Sequence, residues 1–111
     1  MTYRRWDVVA VHYPFIEGTE AKKRPALIVS SEALHEAHRV YWAAMITTAK
    51  AGVRPGDIAI SDCRKAGLPE DCVIRLSRVT TVSDIQISHS TGAVVPRDRN
   101  AVAAVLKQYL P

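Results

Sequence analysis

The sequence predicts a small α+β domain in which helices are added to a mostly antiparallel barrel or curled sheet. Short apolar runs rich in β-branched residues recur between Pro- and Gly-containing turns, which is typical of strands. Helical periodicity is confined to two segments, without the regular strand–helix alternation of a parallel sheet. The 111 residues fit a single domain, 1–111, with one modest core.

The predicted strands are apolar runs bounded by turn residues. Pro14 ends the first strand, and Gly18 allows a turn with positive φ in the long loop that follows. Pro25 is expected at the first residue of the second strand, a position that tolerates a missing N–H. The predicted ranges are 7–13, 26–30, 40–47, 57–61 and 72–82, with a further strand pair around Gly92 in 85–95.

The fifth strand has a period of two. Ile74 and Leu76 fall on one side, and Arg75 and Ser77 fall on the other. A strand of this kind buries one side in the core and exposes the other. We therefore expect Arg75 to lie on an exposed polar side.

Two helices are predicted, at 32–38 and 97–110. Ser30 or Ser31 is a suitable N-cap for the first. In the second, apolar residues recur at the spacing of one helix face, which predicts packing against the core. These residues are Val102, Val105, Leu106 and Tyr109.

The charge balance favours an acidic or polyanionic partner. The chain has 15 Lys and Arg against 11 Asp and Glu, a formal net charge of +4. It has no apolar run of membrane-spanning length and no apolar N-terminal signal segment, so we expect a cytoplasmic protein that does not enter a membrane. Cys63 and Cys72 lack the close spacing of a zinc site and are expected to be free thiols. His35 and His38 complete no ligand set, so neither a metal nor a cofactor is expected.

A cationic loop leads directly into an apolar strand at Lys22, Lys23, Arg24 and Pro25. Pro25 restricts Arg24 to extended geometry, which holds the Arg24 guanidinium at a loop–strand junction. A planar, permanently charged guanidinium is well suited to binding phosphate. A solvated surface arginine also fits this segment taken alone.

Six segments in a defined order carry a family resemblance. They are Asp7-Val-Val-Ala-Val-His-Tyr-Pro-Phe, Lys23-Arg-Pro-Ala-Leu-Ile-Val-Ser, Ile46-Thr-Thr, Ala66-Gly-Leu-Pro, Val73-Ile-Arg-Leu and Thr80-Thr. Together with a closing helix they resemble the MazF/PemK family of toxin endoribonucleases over nearly the whole chain. The Arg-Pro strand is fairly specific, and the ordered combination carries the resemblance.

The resemblance implies a small SH3-like antiparallel β-barrel with a C-terminal amphipathic helix, the fold shared by MazF and CcdB toxins. It implies a sequence-specific, metal-independent endoribonuclease of a toxin–antitoxin system that inhibits translation and growth. In such enzymes the 2′-hydroxyl of single-stranded RNA attacks the adjacent phosphate, leaving 2′,3′-cyclic phosphate and 5′-hydroxyl ends. The resemblance also implies a homodimer that binds RNA in a groove across its interface, an acidic antitoxin partner and no cofactor.

By position in the matched segments, Arg24 and Thr47 are the implied catalytic residues, with Thr48 as the adjacent alternative to Thr47. Arg24 would stabilise the extra charge on the scissile phosphate. It is a poor general base because it stays protonated, so the base is left unassigned. Glu20 is either a proton acceptor or only a loop acid. The implied RNA-binding residues are Glu20, Lys22, Lys23, Thr48, Arg75, Ser77 and Arg78.

Two departures from the family pattern stand out. Trp6 occupies a position that is usually Gly, and Ser77 replaces an acid that some relatives carry. Two other functions remain open: a CcdB-like toxin that poisons DNA gyrase, and an RNA-binding module without catalysis. The chain ends in Gln108-Tyr-Leu-Pro instead of the Trp-Gly-Ile tail of CcdB-like toxins, which argues against the first. Retention of Arg24 and the Thr-Thr step argues against the second.

Overall fold

The computed structural model describes residues 2–13 and 22–110, which form one antiparallel sheet and two helices. The loop expected at 14–21, with its turn at Gly18, lies outside the described residues. The strands are β1 (Asp7–Tyr13), β2 (Lys22–Ile28), β3 (Val40–Thr48), β4 (Asp57–Ala59), β5 (Cys72–Ser83) and β6 (Ile87–Ala93). The helices are α1 (Glu32–His38) and α2 (Pro96–Tyr109).

The sheet has the strand order β4-β5-β3-β2-β1-β6, and every neighbouring pair is antiparallel. This confirms the predicted α+β class with a C-terminal helix. The curled sheet is not closed into a full barrel, because among the described residues no ladder joins β4 to β6. Closure requires the two edge strands to pair. β4 has only three residues, all of them paired with β5 on the opposite edge of the sheet from β6.

Apolar clusters cover both faces of the sheet. Successive residues of a strand point to opposite faces, so neighbours such as Val8 and Val9 belong to different clusters. The first cluster joins the sheet to α2 and includes Val8, Leu27, Ile74 and Val102. The second lies on the other face and includes Val9, Ile28, Tyr41 and Val82. The central strands are therefore buried on both sides.

The apolar stripe predicted for α2 packs largely as expected. Val102 is fully buried, and Val105 and Leu106 are partly buried against the first cluster. Tyr109, at the end of the stripe, remains 47% exposed. The stripe thus docks α2 over most of its length and leaves its last turn uncovered.

Two strand predictions need correction. β2 begins at Lys22, so Pro25 is its fourth residue instead of its first. At Pro25 the strand pairs with Ala10 of β1, while its ladder with β3 starts at Ala26. β2 is thus an edge at that point, where a residue without an N–H is tolerated. The segment 85–95 holds one strand, β6, instead of a pair, because residues Asp84–Gln86 form a 3-10 turn.

Arg75 is buried, contrary to the expectation that it shares an exposed side with Ser77. β4 covers this part of β5, and Asp57 lies directly opposite Arg75 in the ladder. Arg75 Nη2 donates to Asp57 Oδ2 at 2.9 Å and to the carbonyl oxygen of Gly52 at 2.9 Å. Arg75 Nε lies 3.3 Å from both carboxylate oxygens. The guanidinium is occupied within the fold and is not displayed to a ligand.

Trp6 takes the left-handed backbone conformation that favours glycine, with φ = 80°. Its N–H donates to the carbonyl of Ile28 at 2.8 Å, and its carbonyl accepts from the N–H of Val94 at 3.3 Å. The indole packs against the first cluster, and the Arg5 guanidinium lies 4.4 Å from the ring centroid. The Trp side chain therefore occupies a Gly-like backbone site and offsets its strain by packing and a cation–π contact.

Replacing Trp6 should separate these two effects. Trp6→Ala loses the packing but keeps a Cβ in a left-handed conformation, which costs roughly 1–2 kcal/mol. Trp6→Gly loses the same packing and relieves the strain. We expect both variants to be less stable than the parent in urea unfolding, with Trp6→Gly the more stable of the two by about 1 kcal/mol. An alanine variant as stable as the glycine variant would contradict the assigned strain.

The buried ion pair predicts a dependence of stability on pH. Burial alone would raise the pKa of Asp57, but hydrogen bonds from the Arg75 side chain and the Arg54 backbone, with the charges of both arginines, hold that pKa below its usual value. A lowered pKa stabilises the fold fully above the unfolded-state pKa of about 3.9, and the contribution is lost as pH falls through the folded-state value. Asp57→Asn should therefore lose about 3–5 kcal/mol near neutral pH, because it leaves Arg75 buried without a counter-charge.

The measurement is urea unfolding of the parent and Asp57→Asn at neutral pH and below pH ~4. The difference between them should shrink as the pH falls through the folded-state pKa of Asp57, below which the parent carboxylate is protonated. Asp71→Asn, which changes an exposed carboxylate, is the matched control and should stay within about 0.5 kcal/mol of the parent. A difference between parent and Asp57→Asn that is independent of pH would contradict the assignment.

Candidate active site

A groove of about 400 Å³ opens beside the start of β2 and the end of β3. We call it the Arg24 groove. It contains four of the predicted site residues: Lys23, Arg24, Thr47 and Thr48. The described residues that line it are Lys23, Arg24, Pro25, Ile46, Thr47, Thr48, Leu68, Pro69, Glu70 and Cys72.

The strand register favours Thr47 over Thr48 as the partner of Arg24. The last β2–β3 pair is Ala26 with Met45, and continuing that register by two residues sets Arg24 across from Thr47. Arg24 also has the same parity as Ala26, and Thr47 the same parity as Met45, so both point to one face. Thr48, the neighbour of Thr47, points to the opposite face.

The β2–β3 ladder ends where the groove begins. β2 continues toward Lys22 paired with β1, and β3 continues to Thr48 paired with β5. Since the two strands are no longer paired with each other there, their side chains border a gap. A gap between two strand ends can receive an extended ligand such as a polynucleotide backbone.

The Arg24 guanidinium has an unused donor. Its Nε atom is buried, and no hydrogen-bond acceptor meets it within the described part of the chain. A buried donor without a partner costs roughly 1–3 kcal/mol, so such atoms are rare in folded proteins. Together with the nearby Lys23, this donor gives one side of the groove the character of an anion-binding site.

The other predicted RNA-binding residues lie elsewhere or outside the described residues. Glu20 lies outside them, and Lys22 is the first residue of β2. Ser77 and Arg78 are exposed on β5 and do not line the Arg24 groove. They lie at an irregularity in the β3–β5 ladder. Met45 of β3 pairs with Arg75, whereas its neighbour Ala44 pairs with Val79.

Sequence reasoning missed one wall of the groove. Leu68, Pro69 and Glu70 line it from the segment before β5. The Gly-Leu-Pro motif marked this segment as part of the family pattern, but no charge or spacing signal placed it beside Arg24. The contact depends on long-range pairing, including the hydrogen bond from the N–H of Ala49 to the carbonyl of Asp71 at 3.0 Å.

Cys72 is the thiol in the groove. Burial raises its pKa, and the nearby Cys63, Glu70 and Asp71 raise it further. A raised pKa keeps the thiol protonated near neutral pH, which disfavours a role as a nucleophile. Both cysteines are free, as predicted.

A second, apolar groove of about 1010 Å³ lies between α1, β3, β5 and α2. We call it the Trp42 groove. Four large apolar side chains that line it are exposed by 41–66%, namely Trp42, Val79, Tyr109 and Leu110. An exposed apolar patch of this kind is typical of a protein–protein contact surface.

Neither a metal cluster nor a membrane-spanning helix is found in residues 2–13 and 22–110. No group of three or more His, Cys, Asp or Glu side chains among them is arranged to hold a metal ion. No helix formed by these residues has the length and apolar character needed to cross a membrane.

Solved structures share the fold. An endoribonuclease in complex with its cognate antitoxin from a Mycobacterial species aligns with a TM-score of 0.73 and 21% identity, over 97% of this chain and 92% of that one. Mycobacterium tuberculosis toxin MazF-mt6 aligns with a TM-score of 0.72 and 18% identity, over 94% and 95% of the two chains. A MazE–MazF structure from Deinococcus radiodurans aligns with a TM-score of 0.77 and 14% identity, over 99% and 96%.

The sequence comparisons give a family but no individual relative. No curated protein matches the sequence significantly. A family profile described as "PemK-like, MazF-like toxin of type II toxin-antitoxin system" matches residues 4–110. Because that match spans nearly the whole chain, the protein belongs to the PemK-like, MazF-like toxin family.

Proposed function

We propose that this protein is a sequence-specific, metal-independent endoribonuclease toxin that cleaves single-stranded RNA and thereby inhibits translation and growth. The observation that carries the proposal is the buried Arg24 Nε, which has no acceptor among the described residues and lies in a groove that also contains Thr47. Family membership and the fold of solved endoribonuclease toxins support it.

The proposed chemistry uses the substrate's own nucleophile. The 2′-hydroxyl attacks the adjacent phosphorus and loses its proton, the bond from phosphorus to the 5′-oxygen breaks, and that oxygen gains a proton. The products are a 2′,3′-cyclic phosphate and a 5′-hydroxyl. The enzyme must orient this attack and stabilise the charge that develops on the phosphate oxygens, which needs no bound metal.

Arg24 and Thr47 are assigned to that stabilisation. The Arg24 guanidinium donates to the non-bridging oxygens of the scissile phosphate, and its charge offsets the extra negative charge. Thr47 donates its hydroxyl to the same phosphate from across the gap. Lys23 binds the RNA backbone beside them, and Thr48 also lines the groove.

We also propose a homodimer whose protomers meet through the Trp42 groove. Its exposed apolar side chains form a surface that burial against a second copy would stabilise. The groove is lined in part by Val79, Thr80 and Thr81 of β5. The residue before them, Arg78, is exposed and is a predicted RNA-binding residue, so the proposed interface lies next to part of the proposed RNA-binding surface. Sedimentation equilibrium tests this arrangement, and a monomer at all concentrations contradicts it.

The proposed regulator is an acidic antitoxin in the same cytoplasmic compartment. The formal net charge of +4 suits an acidic partner as well as RNA. Of the three structures described above, one is an endoribonuclease in complex with its cognate antitoxin and another is a MazE–MazF structure.

The decisive assay is cleavage of a long natural RNA in EDTA. The parent should make discrete cuts, and Arg24→Ala should cut at least about 10²–10³-fold more slowly, as when a transition-state donor is removed. Arg97→Ala removes an exposed arginine from the first turn of α2 and is the matched control. It should cut at the parental rate. Product ends should carry cyclic phosphate and 5′-hydroxyl groups.

Each other outcome identifies a different error. Parental cleavage by Arg24→Ala would show that the groove is assigned wrongly. No cleavage by the parent, with growth arrest and intact cellular RNA on expression, would favour a CcdB-like binding toxin.

In the same assay, Thr47→Val should reduce the rate by about tenfold or more, equivalent to about 1.4 kcal/mol. The substitution is close to isosteric and removes only the hydroxyl, so thermal unfolding should change little. Thr48→Val is the comparison variant, because Thr48 is the alternative catalytic assignment and follows Thr47 directly. A rate loss confined to Thr48→Val would exchange the two assignments.

A further inference from the structure

The wall of the Arg24 groove that faces the β2 and β3 strand ends has no role in the chemistry above. It consists of Leu68, Pro69 and Glu70. Pro69 and Glu70 are exposed, and Leu68 is half-buried against the first apolar cluster. An RNA chain whose scissile phosphate lies at Arg24 would place a flanking nucleotide beside this wall.

The segment that carries the wall is held firmly by backbone contacts. The N–H of Leu68 donates to the carbonyl of Cys63 at 2.8 Å, and Thr91 Oγ1 donates to the carbonyl of Ala66 at 2.9 Å. The N–H of Ala49, directly after Thr48, donates to the carbonyl of Asp71 at 3.0 Å. The wall is thus fixed against both β6 and the end of β3.

Gly67 shows how closely this segment packs against β6. Gly67 has a φ of +76°, and a Cβ added there would collide with the carbonyl oxygen of Thr91. A side chain at this position would be strained and would collide with β6. The Leu68, Pro69 and Glu70 side chains therefore project from a preformed support, which favours selective recognition over adaptive fit.

The charge of Glu70 excludes a phosphate as its ligand. Glu70 is exposed, and among the side chains of residues 2–12 and 23–110 it has no ion-pair or hydrogen-bond partner. A carboxylate only accepts hydrogen bonds, and it repels phosphate oxygens. Single-stranded RNA is read mainly through the edges and faces of unpaired bases, and base N–H groups are the donors that suit Glu70.

Among the four bases, guanine fits a carboxylate best. Its N1–H and N2–H₂ groups lie side by side and match two parallel carboxylate oxygens. Adenine and cytosine each place an acceptor nitrogen beside their single amino group, and uracil flanks its one N–H with two carbonyl oxygens. These acceptors would face the second carboxylate oxygen with like charge.

We propose that Glu70 selects a guanine next to the scissile phosphate, with Leu68 and Pro69 supporting the face of that base. This assignment rests on the proposed function because it takes the Arg24 groove to be the RNA site. It makes Glu70 a specificity-determining residue, whereas Arg24 and Thr47 act on the phosphate.

Binding tests this selection independently of cleavage. The probes are short fluorescent RNA oligonucleotides of random sequence, made uncleavable by 2′-O-methyl groups, with guanine, inosine or adenine at each position in turn. Inosine lacks only the N2 amino group. At one position the parent should bind guanine about tenfold more tightly than inosine or adenine, and Glu70→Gln should lose this preference.

Asp71→Asn is the matched control because it removes a neighbouring exposed charge that does not line the groove. It should keep the guanine preference. Glu70 is exposed, so Glu70→Gln should fold, and equal thermal midpoints would verify this. Cleavage of a random RNA pool, with sequencing of the 5′-hydroxyl ends, measures the same preference in catalysis.

The outcomes separate this inference from the proposed function. Loss of the guanine preference in Glu70→Gln supports the inference, even if the parent cuts no RNA and the nuclease proposal fails. The same base preference in the parent and Glu70→Gln, or none in the parent, overturns it. A uniform rate loss in Glu70→Gln at unchanged sites also overturns it and indicates proton transfer by Glu70.

Discussion

The short ladder between β2 and β3 is the constraint on which the rest of the structure depends. Only Ala26 to Ile28 pair with Ala43 to Met45, yet this contact joins β6-β1-β2 to β3-β5-β4. Each half has a longer ladder of its own, between β1 and β2 in one half and between β3 and β5 in the other. β2 and β3 can therefore separate beyond Ala26 while each stays paired within its half. The Arg24 groove is the space that this separation creates.

Two arginines on the same sheet show how environment assigns a role to one residue type. Arg75 is covered by β4 and paired with Asp57. Its guanidinium binds Asp57 and the carbonyl of Gly52, and so holds the 52–57 turn to β5. Arg24 lies at a strand end where the described chain supplies its Nε atom with no acceptor. A buried donor without an acceptor in the protein is tolerated when a ligand accepts its hydrogen bond. This difference between Arg24 and Arg75 is the reason for proposing a phosphate site at Arg24.

Local signals predicted much of the fold. The bounds of β1 and α1 follow directly from apolar runs and turn residues, and the period of α2 predicted its buried face. The open sheet and the burial of Arg75 were not predictable in this way, because both depend on which strands pair and how short β4 is. The candidate site divides similarly. Motifs identified Arg24 and Thr47, whereas Leu68, Pro69 and Glu70 reach the groove only through contacts between distant segments.

The contacts that anchor the 62–71 segment do not involve the side chains that the segment exposes at Pro69 and Glu70. Its hydrogen bonds to β3 and β6 use main-chain atoms and the Thr91 hydroxyl, and Gly67 provides the close approach. None of these contacts uses the side chains of Pro69 or Glu70. Substitutions at these two positions can therefore accumulate in descendants of this protein at little cost to folding. Under the proposed function, such substitutions would change the RNA sequences that the toxin recognises while Arg24, Thr47 and the scaffold stay the same.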